Sequence, residues 1–381
     1  MTGATPSATE REIAQQPEVW PRIAALVARE QARLDGFLAP LLGNPELRIV
    51  LSGAGTSAFI GACLAPALFR HLQRRVETVA TTDLVSGPQL HLQRSIPTLL
   101  VSFARSGNSP ESVAAINLAE QLLVNPNHLI ITCNPDGALA RRTPTLRSAL
   151  TLLLPDETND RGFAMTSSFS SMLLTAALAF GVFAPDVVPR LARAASAVMP
   201  AAHALARRLA TRRFERVVFL GSNELRGLAA EAALKLLELT DGRTVAMSES
   251  VLGFRHGPKT VVNDRTLIVL LLSNDAYTRA YDCDLLAELH RDARAGAIIT
   301  LGVRGEDLGG IERLEFPGLD DACDLEVALL DVVFAQILAL RQSLEFGLTP
   351  DRPNLAGVVN RVVQGVCIHG WAEDRAHVSR R

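Results

Sequence analysis

The sequence predicts an α/β protein built from two tandem, doubly wound parallel sheets, each in three αβα layers, behind an N-terminal helical lead-in. Three observations carry this. The chain has 381 residues, enough for two cores of ordinary size. Short β-rich apolar runs alternate with long helical patterns. The alternation occurs twice, segment by segment. Near-continuous apolar strands cannot leave one face in water, so each sheet must be covered by helices on both sides.

The elements follow in order. A mostly helical lead-in runs from about Glu10 to Leu42, punctuated by Pro17, Pro21, Pro40 and Pro45. The first pass opens at LRIVLSGAGTSAFIGACLAPAL and continues through the candidate strands VETVATTD, IPTLLVSF, HLIITCN and LTLLLP to the apolar helix SSFSSMLLTAALAF. A helical linker spans about Pro189 to Arg213. The second pass opens at ERVVFLGSNELRGLAAEAALKL, continues through RTVAMSE, RTLIVLLLS, AIITLGV and ERLEFP, and closes on ALLDVVFAQILALRQSL. A C-terminal helix is expected at VVNRVVQGV. The domain limits are therefore 1–45, 46–195, 196–347 and 348–381.

Composition narrows the function. With 38 basic and 40 acidic residues the net charge is -2, and no basic cluster is interleaved with aromatics, so nucleic acid is not an expected partner. The first residues, MTGATPSATEREIAQQ, lack the apolar core of a signal peptide, and the longest apolar run, Ser171 to Ala184, is short for a bilayer; a cytoplasmic address and no membrane partner are expected. Five cysteines (Cys63, Cys133, Cys283, Cys323, Cys367) are scattered singly, so neither a disulfide framework nor a metal site is expected.

In open parallel sheets, ligands collect where strand ends feed helix starts. The stretch VSFARSGNSPES is such a junction. Its strand ends near Phe103, Ser109 is placed to cap the next helix, and Pro110 suits the first helical position. The loop Ala104 to Asn108 then offers free N–H groups, the Ser106 and Ser109 hydroxyls, the permissive Gly107 and the Arg105 guanidinium, together a cradle for phosphate. Glu111 in the first turn opposes an anion unless it turns away. An ordinary cap and a solvated arginine would explain one such loop equally well. Two further hydroxyl-rich loops, SGAGTS (Ser52 to Ser57) and NDRGFAMTSSF (Asn159 to Phe169), favour the phosphate; the second-pass counterpart LSNDAYTR lacks the cradle, giving one site per chain. GAGTSA with Asp83 also fits a relaxed dinucleotide fingerprint, a weak match beside a separate phosphate cradle, so no cofactor is expected.

Proton chemistry is expected on the helix AAEAALKLLELT, where Glu231, Lys235 and Glu238 share one stripe among Ala and Leu. A supporting row of ion pairs is the plainer reading. Against it, the chain has only two lysines, Lys235 and Lys259, and lysine is the cation that burial tunes. His256 sits beside Lys259 in GFRHGPK, where it is either polar surface or a proton exchanger. A phosphate cradle, a carboxylate and a histidine suit sugar phosphate isomerisation, which needs ring opening and one base serving two adjacent carbons; a Glu with a raised pKa fits that base.

Taken together, GAGTS, ATTDLVS, SFARSGNSPES, NDRGFAMTSSF, EAALKLLELTDG, LGFRHGPK and NRVVQGVCIH resemble the sugar isomerase (SIS) domain proteins. The tandem-SIS AgaS type is the nearest, described as galactosamine-6-phosphate deaminase/isomerase or tagatose-6-phosphate ketose/aldose isomerase. The resemblance runs from Arg48 to Trp371. By similarity to the isomerase domain of glucosamine-6-phosphate synthase, it implies Ser106 and Ser109 on phosphate, Thr56 and Ser57 on sugar, with Arg105 standing where that enzyme has Gln. Ser167, from the third loop, joins the implied substrate set. Glu238 falls on the C1/C2 proton-transfer carboxylate, Lys235 on the lysine one turn earlier, and His256 on a ring-opening histidine that a neighbouring subunit supplies, implying a homodimer with shared sites.

Three departures qualify the likeness. Asn354-Leu355-Ala356 is followed by Gly357 where the synthase has an imine-forming Lys; no glutaminase domain precedes the repeats, favouring ammonia release; and the second-domain turn reads Gly221-Ser222-Asn223-Glu224 where AgaS types read G-S-G-G. The implied reaction converts galactosamine 6-phosphate to tagatose 6-phosphate and ammonia. Tagatose-6-phosphate isomerisation, glucosamine-6-phosphate deamination and a non-catalytic sugar-phosphate sensor remain as alternatives.

Overall fold

The computed structural model describes residues 5–303, 311–363 and 365–371; the other residues of the outer domain limits lie outside them. Ser7 caps α1 (Ala8–Ala14) by accepting from the Glu10 N–H at 3.1 Å, and α2 (Gln16–Leu42) follows almost at once. The break falls at Gln15. Pro21 and Pro40 lie inside α2, near its two ends, so the lead-in is less punctuated than its prolines suggest.

The first repeat runs β1 (Arg48–Ser52), α3 (Thr56–Leu72), β2 (Val76–Thr78), α4 (Thr81–Ser86), α5 (Pro88–His91), β3 (Thr98–Ala104), α6 (Pro110–Leu122), β4 (Pro126–Thr132), α7 (Ala138–Arg142), β5 (Ala149–Leu153) and α8 (Ser167–Ala179). Helix α9 (Val188–Thr211) leads to the second: β6 (Arg216–Leu220), α10 (Glu224–Leu239), β7 (Val245–Glu249), α11 (Val251–Phe254), β8 (Thr266–Leu271), α12 (Ala276–Asp292), β9 (Ala297–Gly302), β10 (Glu312–Glu315) and α13 (Asp324–Glu345).

Both sheets are parallel and five-stranded, ordered β2-β1-β3-β4-β5 and β7-β6-β8-β9-β10, which is one topology used twice. The central strands β3, β4 and β8 are buried at every position, as their unbroken apolar runs require. In each repeat the chain order reverses beside the first strand, between β1 and β3 or between β6 and β8, and ligands gather at such points.

Helix α13 packs on α9 and α10. Among the described residues it alone is long and apolar enough to cross a membrane, and 89% of that window is buried inside the fold, as for a core helix. The two repeats meet where α10 lies on α3. At Gly227 a methyl group would sit 2.6 Å from the Cys63 nitrogen and 2.7 Å from the Ala62 carbonyl carbon, so the helices approach backbone to backbone.

Two expected elements are not formed. Of VETVATTD only Val76–Thr78 is strand; its last three residues turn over to begin α4. No helix forms at VVNRVVQGV, of which Gln364 lies outside the described residues: the segment follows turns and extended backbone over the first repeat. Five valines stiff at χ1 disfavour helix there, and Gly357 and Gly365, at φ 70° and 77°, break the path on either side.

Candidate active site

The site is assembled at the reversal between β1 and β3. After β1 the backbone turns so tightly that a side chain at Gly53 would lie 2.5 Å from the Ser57 carbonyl carbon, and Gly55 takes φ 55°. This turn delivers Thr56 and Ser57 to the start of α3. After β3, Gly107 at φ 65° packs within van der Waals reach of Gly137, and Pro110 opens α6 with Ser109 at its cap position. The Ser109 hydroxyl accepts from no backbone N–H of its own helix; it donates to Ser112 Oγ at 2.6 Å. Ser106 Oγ accepts from the Asn108 N–H at 3.2 Å.

Between these loops lies a cavity of about 100 Å³ lined by Ser57, Arg105, Ser106, Ser109, Met165 and Arg361, among others. Arg105 is only 5% exposed. Its Nη2 donates to the Arg361 carbonyl at 2.8 Å, while Nε and Nη1 are buried without a hydrogen-bond partner. Burial, then the neighbouring Arg361 charge, push its proton affinity below the ordinary arginine value. Glu111 has turned away: it is buried against a different cavity, between α4, α6 and the C-terminal segment.

Across the seam, α10 presents its stripe to the same loop. Lys235 is wholly buried, and its ammonium donates to Thr56 Oγ1 at 2.8 Å, pairs with Glu238, and stands 3.5 Å from Glu231 Oε1. Burial opposes the lysine's charge, but Glu231 and Glu238 outweigh it and hold its pKa above the ordinary value. The carboxyl that burial lifts is Glu231, to about 8, although Lys235 and Thr56 favour its charged form. Glu238 keeps a quarter of its side chain exposed. Thr56 and Ser57, adjacent in sequence, therefore join the arginine- and serine-lined cavity to an acid–lysine pair.

Ser167 and His256 are not among the residues lining the cavity. Ser167 begins α8, fully buried, its N–H donating to Asp160 Oδ1 at 3.1 Å and its hydroxyl unpartnered. The carboxylate of Asp160 is saturated by the N–H groups and hydroxyls of Thr166 and Ser168 as well. The Asn159–Phe169 loop is braced by the lead-in, where Glu12 accepts from the Gly162 N–H at 3.1 Å. His256 is exposed in the turn after α11, between Arg255 and Lys259, which both pair with Glu288.

Arg361 was not singled out by sequence. The motif around it is recognisable, but a helical reading hides the loop that carries it into the cavity.

The second repeat fills its corresponding crevice with its own acids. Asp282 accepts from the Ser273 N–H at 2.9 Å and Ser222 Oγ at 3.1 Å, and Asp324 accepts from Ser273 Oγ and the Asn274 N–H, both at 2.6 Å. The donors that could seat a phosphate are spent internally. Asn223, at the position of Gly55, adopts φ 52° and ψ -118°, a conformation suited to glycine.

Comparison with known proteins agrees with this architecture. The family described as SIS domain matches residues 42–181. A Streptomyces coelicolor protein, provisionally named D-galactosamine-6-phosphate deaminase AgaS, is 52% identical over 95% of each chain. The D-galactosamine-6-phosphate deaminase AgaS of a Shewanella species is 43% identical over 96% of this chain and 92% of its own. The crystal structure of tagatose-6-phosphate ketose/aldose isomerase from Escherichia coli is 42% identical and superposes with a TM-score of 0.89, covering 97% of this chain and 98% of that one. With half its residues shared along nearly the whole length, and with two SIS-like sheets joined at α3 and α10, this chain belongs to the AgaS family of tandem SIS-domain proteins.

Proposed function

We propose that this protein converts galactosamine 6-phosphate and water to tagatose 6-phosphate and ammonia. The observation that carries the reading is the Glu238 carboxylate paired to Lys235, whose ammonium donates to Thr56, the sequence neighbour of Ser57 in the wall of the Ser57–Arg105–Ser106–Ser109 cavity. With the phosphate in that cavity, ring opening protonates O5 and removes the O1 proton to give the open-chain aldehyde. Glu238 then takes the C2 proton and returns it to C1, while O1 gains a proton and the amine loses one, leaving a ketose imine. Water replaces the imine nitrogen, which departs as ammonia. Lys235, paired with Glu238, offsets the charge that moves onto the substrate.

Aldose–ketose isomerisation of tagatose 6-phosphate uses the same proton transfer without loss of nitrogen, and the name of the Escherichia coli structural relative supports it as the second reading. A non-catalytic sensor would have no use for an acid–lysine pair beside the anion cavity. The reading includes a homodimer in which His256 of the partner subunit opens the ring, since His256 of the same chain lies outside the cavity lining. It also includes a cytoplasmic setting, consistent with five cysteines of which none forms a disulfide.

The deciding experiment offers galactosamine 6-phosphate, glucosamine 6-phosphate and tagatose 6-phosphate separately, following ammonia and aldose–ketose interconversion. Ammonia from the first substrate alone is expected. Interconversion of tagatose 6-phosphate without ammonia from either hexosamine would replace the deaminase reading with the isomerase one.

A further inference from the structure

We propose that Arg361, carried by the C-terminal segment, is a second guanidinium ligand for the substrate's phosphate group and works as a pair with Arg105. The inference rests on the cavity being the sugar-phosphate site and adds a residue from outside both repeats.

The C-terminal segment is pinned on the lead-in, the second repeat and the first repeat in turn, without forming a helix. Asp351 accepts from the Ala8 and Thr9 N–H groups at 2.8 Å each, Asn354 Nδ2 donates to Asp241 Oδ1 at 2.7 Å, and the Trp371 ring packs on the apolar cluster beneath α4 and α6. Between these anchors the chain passes over the cavity. Arg361, Val362 and Val363 form part of its wall; the Arg361 carbonyl accepts from Arg105, and its guanidinium donates to the Asp160 carbonyl.

Two guanidinium groups are thus brought together at one small cavity, and among the described residues neither forms an ion pair, although the Asp160 and Glu238 charges favour that of Arg105 from a distance. The Asp160 carboxylate is taken up by donors from the start of α8, Glu111 faces another cavity, and Glu238 is paired to Lys235 on the far side of Thr56. Two buried nitrogens of Arg105 lack any acceptor. Like charges held close with donors unfilled are unfavourable by themselves and become favourable around a dianion, which takes bidentate bonds from guanidinium groups. The cavity's 100 Å³ is the room of about three waters, suited to a phosphoryl head whose sugar extends toward Thr56 and Glu238.

The test is calorimetric titration with inorganic phosphate, together with steady-state kinetics on galactosamine 6-phosphate, for the wild-type protein, Arg361→Ala and Arg361→Lys. Arg361 is largely exposed, so neither variant opens a hole in a core. Arg361→Ala is expected to weaken phosphate at least about tenfold, and to raise KM by a like factor with kcat within about threefold, because the bond is made equally to substrate and transition state. Arg361→Lys should fall between. Phosphate affinity of Arg361→Ala within about twofold of wild type would overturn the assignment. If phosphate binds in an Arg361-dependent manner but no ammonia is released from any hexosamine phosphate, the arginine pair stands and the deaminase reading fails. If the wild-type protein does not bind phosphate at all, both fail.

Discussion

Replacing Glu231 with Gln tests the electrostatics of the α3–α10 seam without touching the cavity. Glu231 is completely buried, and its pKa is lifted from 4.5 to about 8. A carboxyl of this kind keeps its proton on folding while the unfolded chain loses it. Its contribution is therefore fully present below pH 4.5 and is lost progressively as pH rises toward 8. The shift of about 3.5 units amounts to about 5 kcal/mol at most, changing by about 1.4 kcal/mol per pH unit. Gln mimics the protonated acid and does not titrate. Unfolding a chain of this length carries an entropy of about 0.8 kcal/mol/K, so between pH 5 and 8 the melting temperature of wild type should fall by about 5 °C relative to Glu231→Gln. The assay is calorimetric melting of both proteins at pH 5, 6.5 and 8 at constant ionic strength. Glu12, lifted to about 7, and Asp282, lifted to about 6, titrate in both proteins, so only the difference between them is diagnostic. Parallel pH profiles would refute the account of a protonated Glu231.

Other outcomes follow from the same geometry. Glu238→Gln and His256→Asn should each abolish turnover when assayed alone, while mixing and reannealing the two should restore about a quarter of wild-type activity through heterodimers with one intact site; no recovery would remove the shared-site homodimer. Thr56→Val takes the acceptor at 2.8 Å from the Lys235 ammonium and should cost about 1–3 kcal/mol in denaturant unfolding, with kcat reduced about tenfold or more; an unchanged kcat would separate Lys235 from the chemistry. Asn223→Gly relieves φ 52° at an exposed turn and should stabilise by about 1 kcal/mol, read as a higher urea midpoint at constant slope.

The repeated topology was legible because each strand's apolar run and each helix's periodicity are local properties, and the two passes agree strand for strand. The stripe of Glu231, Lys235 and Glu238 was legible for the same reason, since spacings of four and three fix a helical face. Which acid of the stripe is lifted was not: Glu231 and Glu238 differ only in burial against another helix, a tertiary property. The serine loop, expected as a cradle, does line a cavity, and Ser109 does take the cap position, but its hydroxyl donates to Ser112 and makes no capping bond to a backbone N–H. The C-terminal segment was misread as a helix from its apolar repeat, although its valines and two glycines argue for extended backbone. That error also hid Arg361, whose place depends on contacts more than 200 residues away in sequence.

The contact at Gly227 sets a mechanical tolerance for the whole molecule. In the proposed reading one half of the chain grips the anion and the other supplies the acid, and at Gly227 the two halves are registered against each other backbone to backbone. A single methyl group there would act as a wedge, parting Lys235 from Thr56 and leaving two well-folded halves out of alignment. Changes in activity can therefore arise from apolar substitutions along this seam, in residues that meet neither sugar nor phosphate.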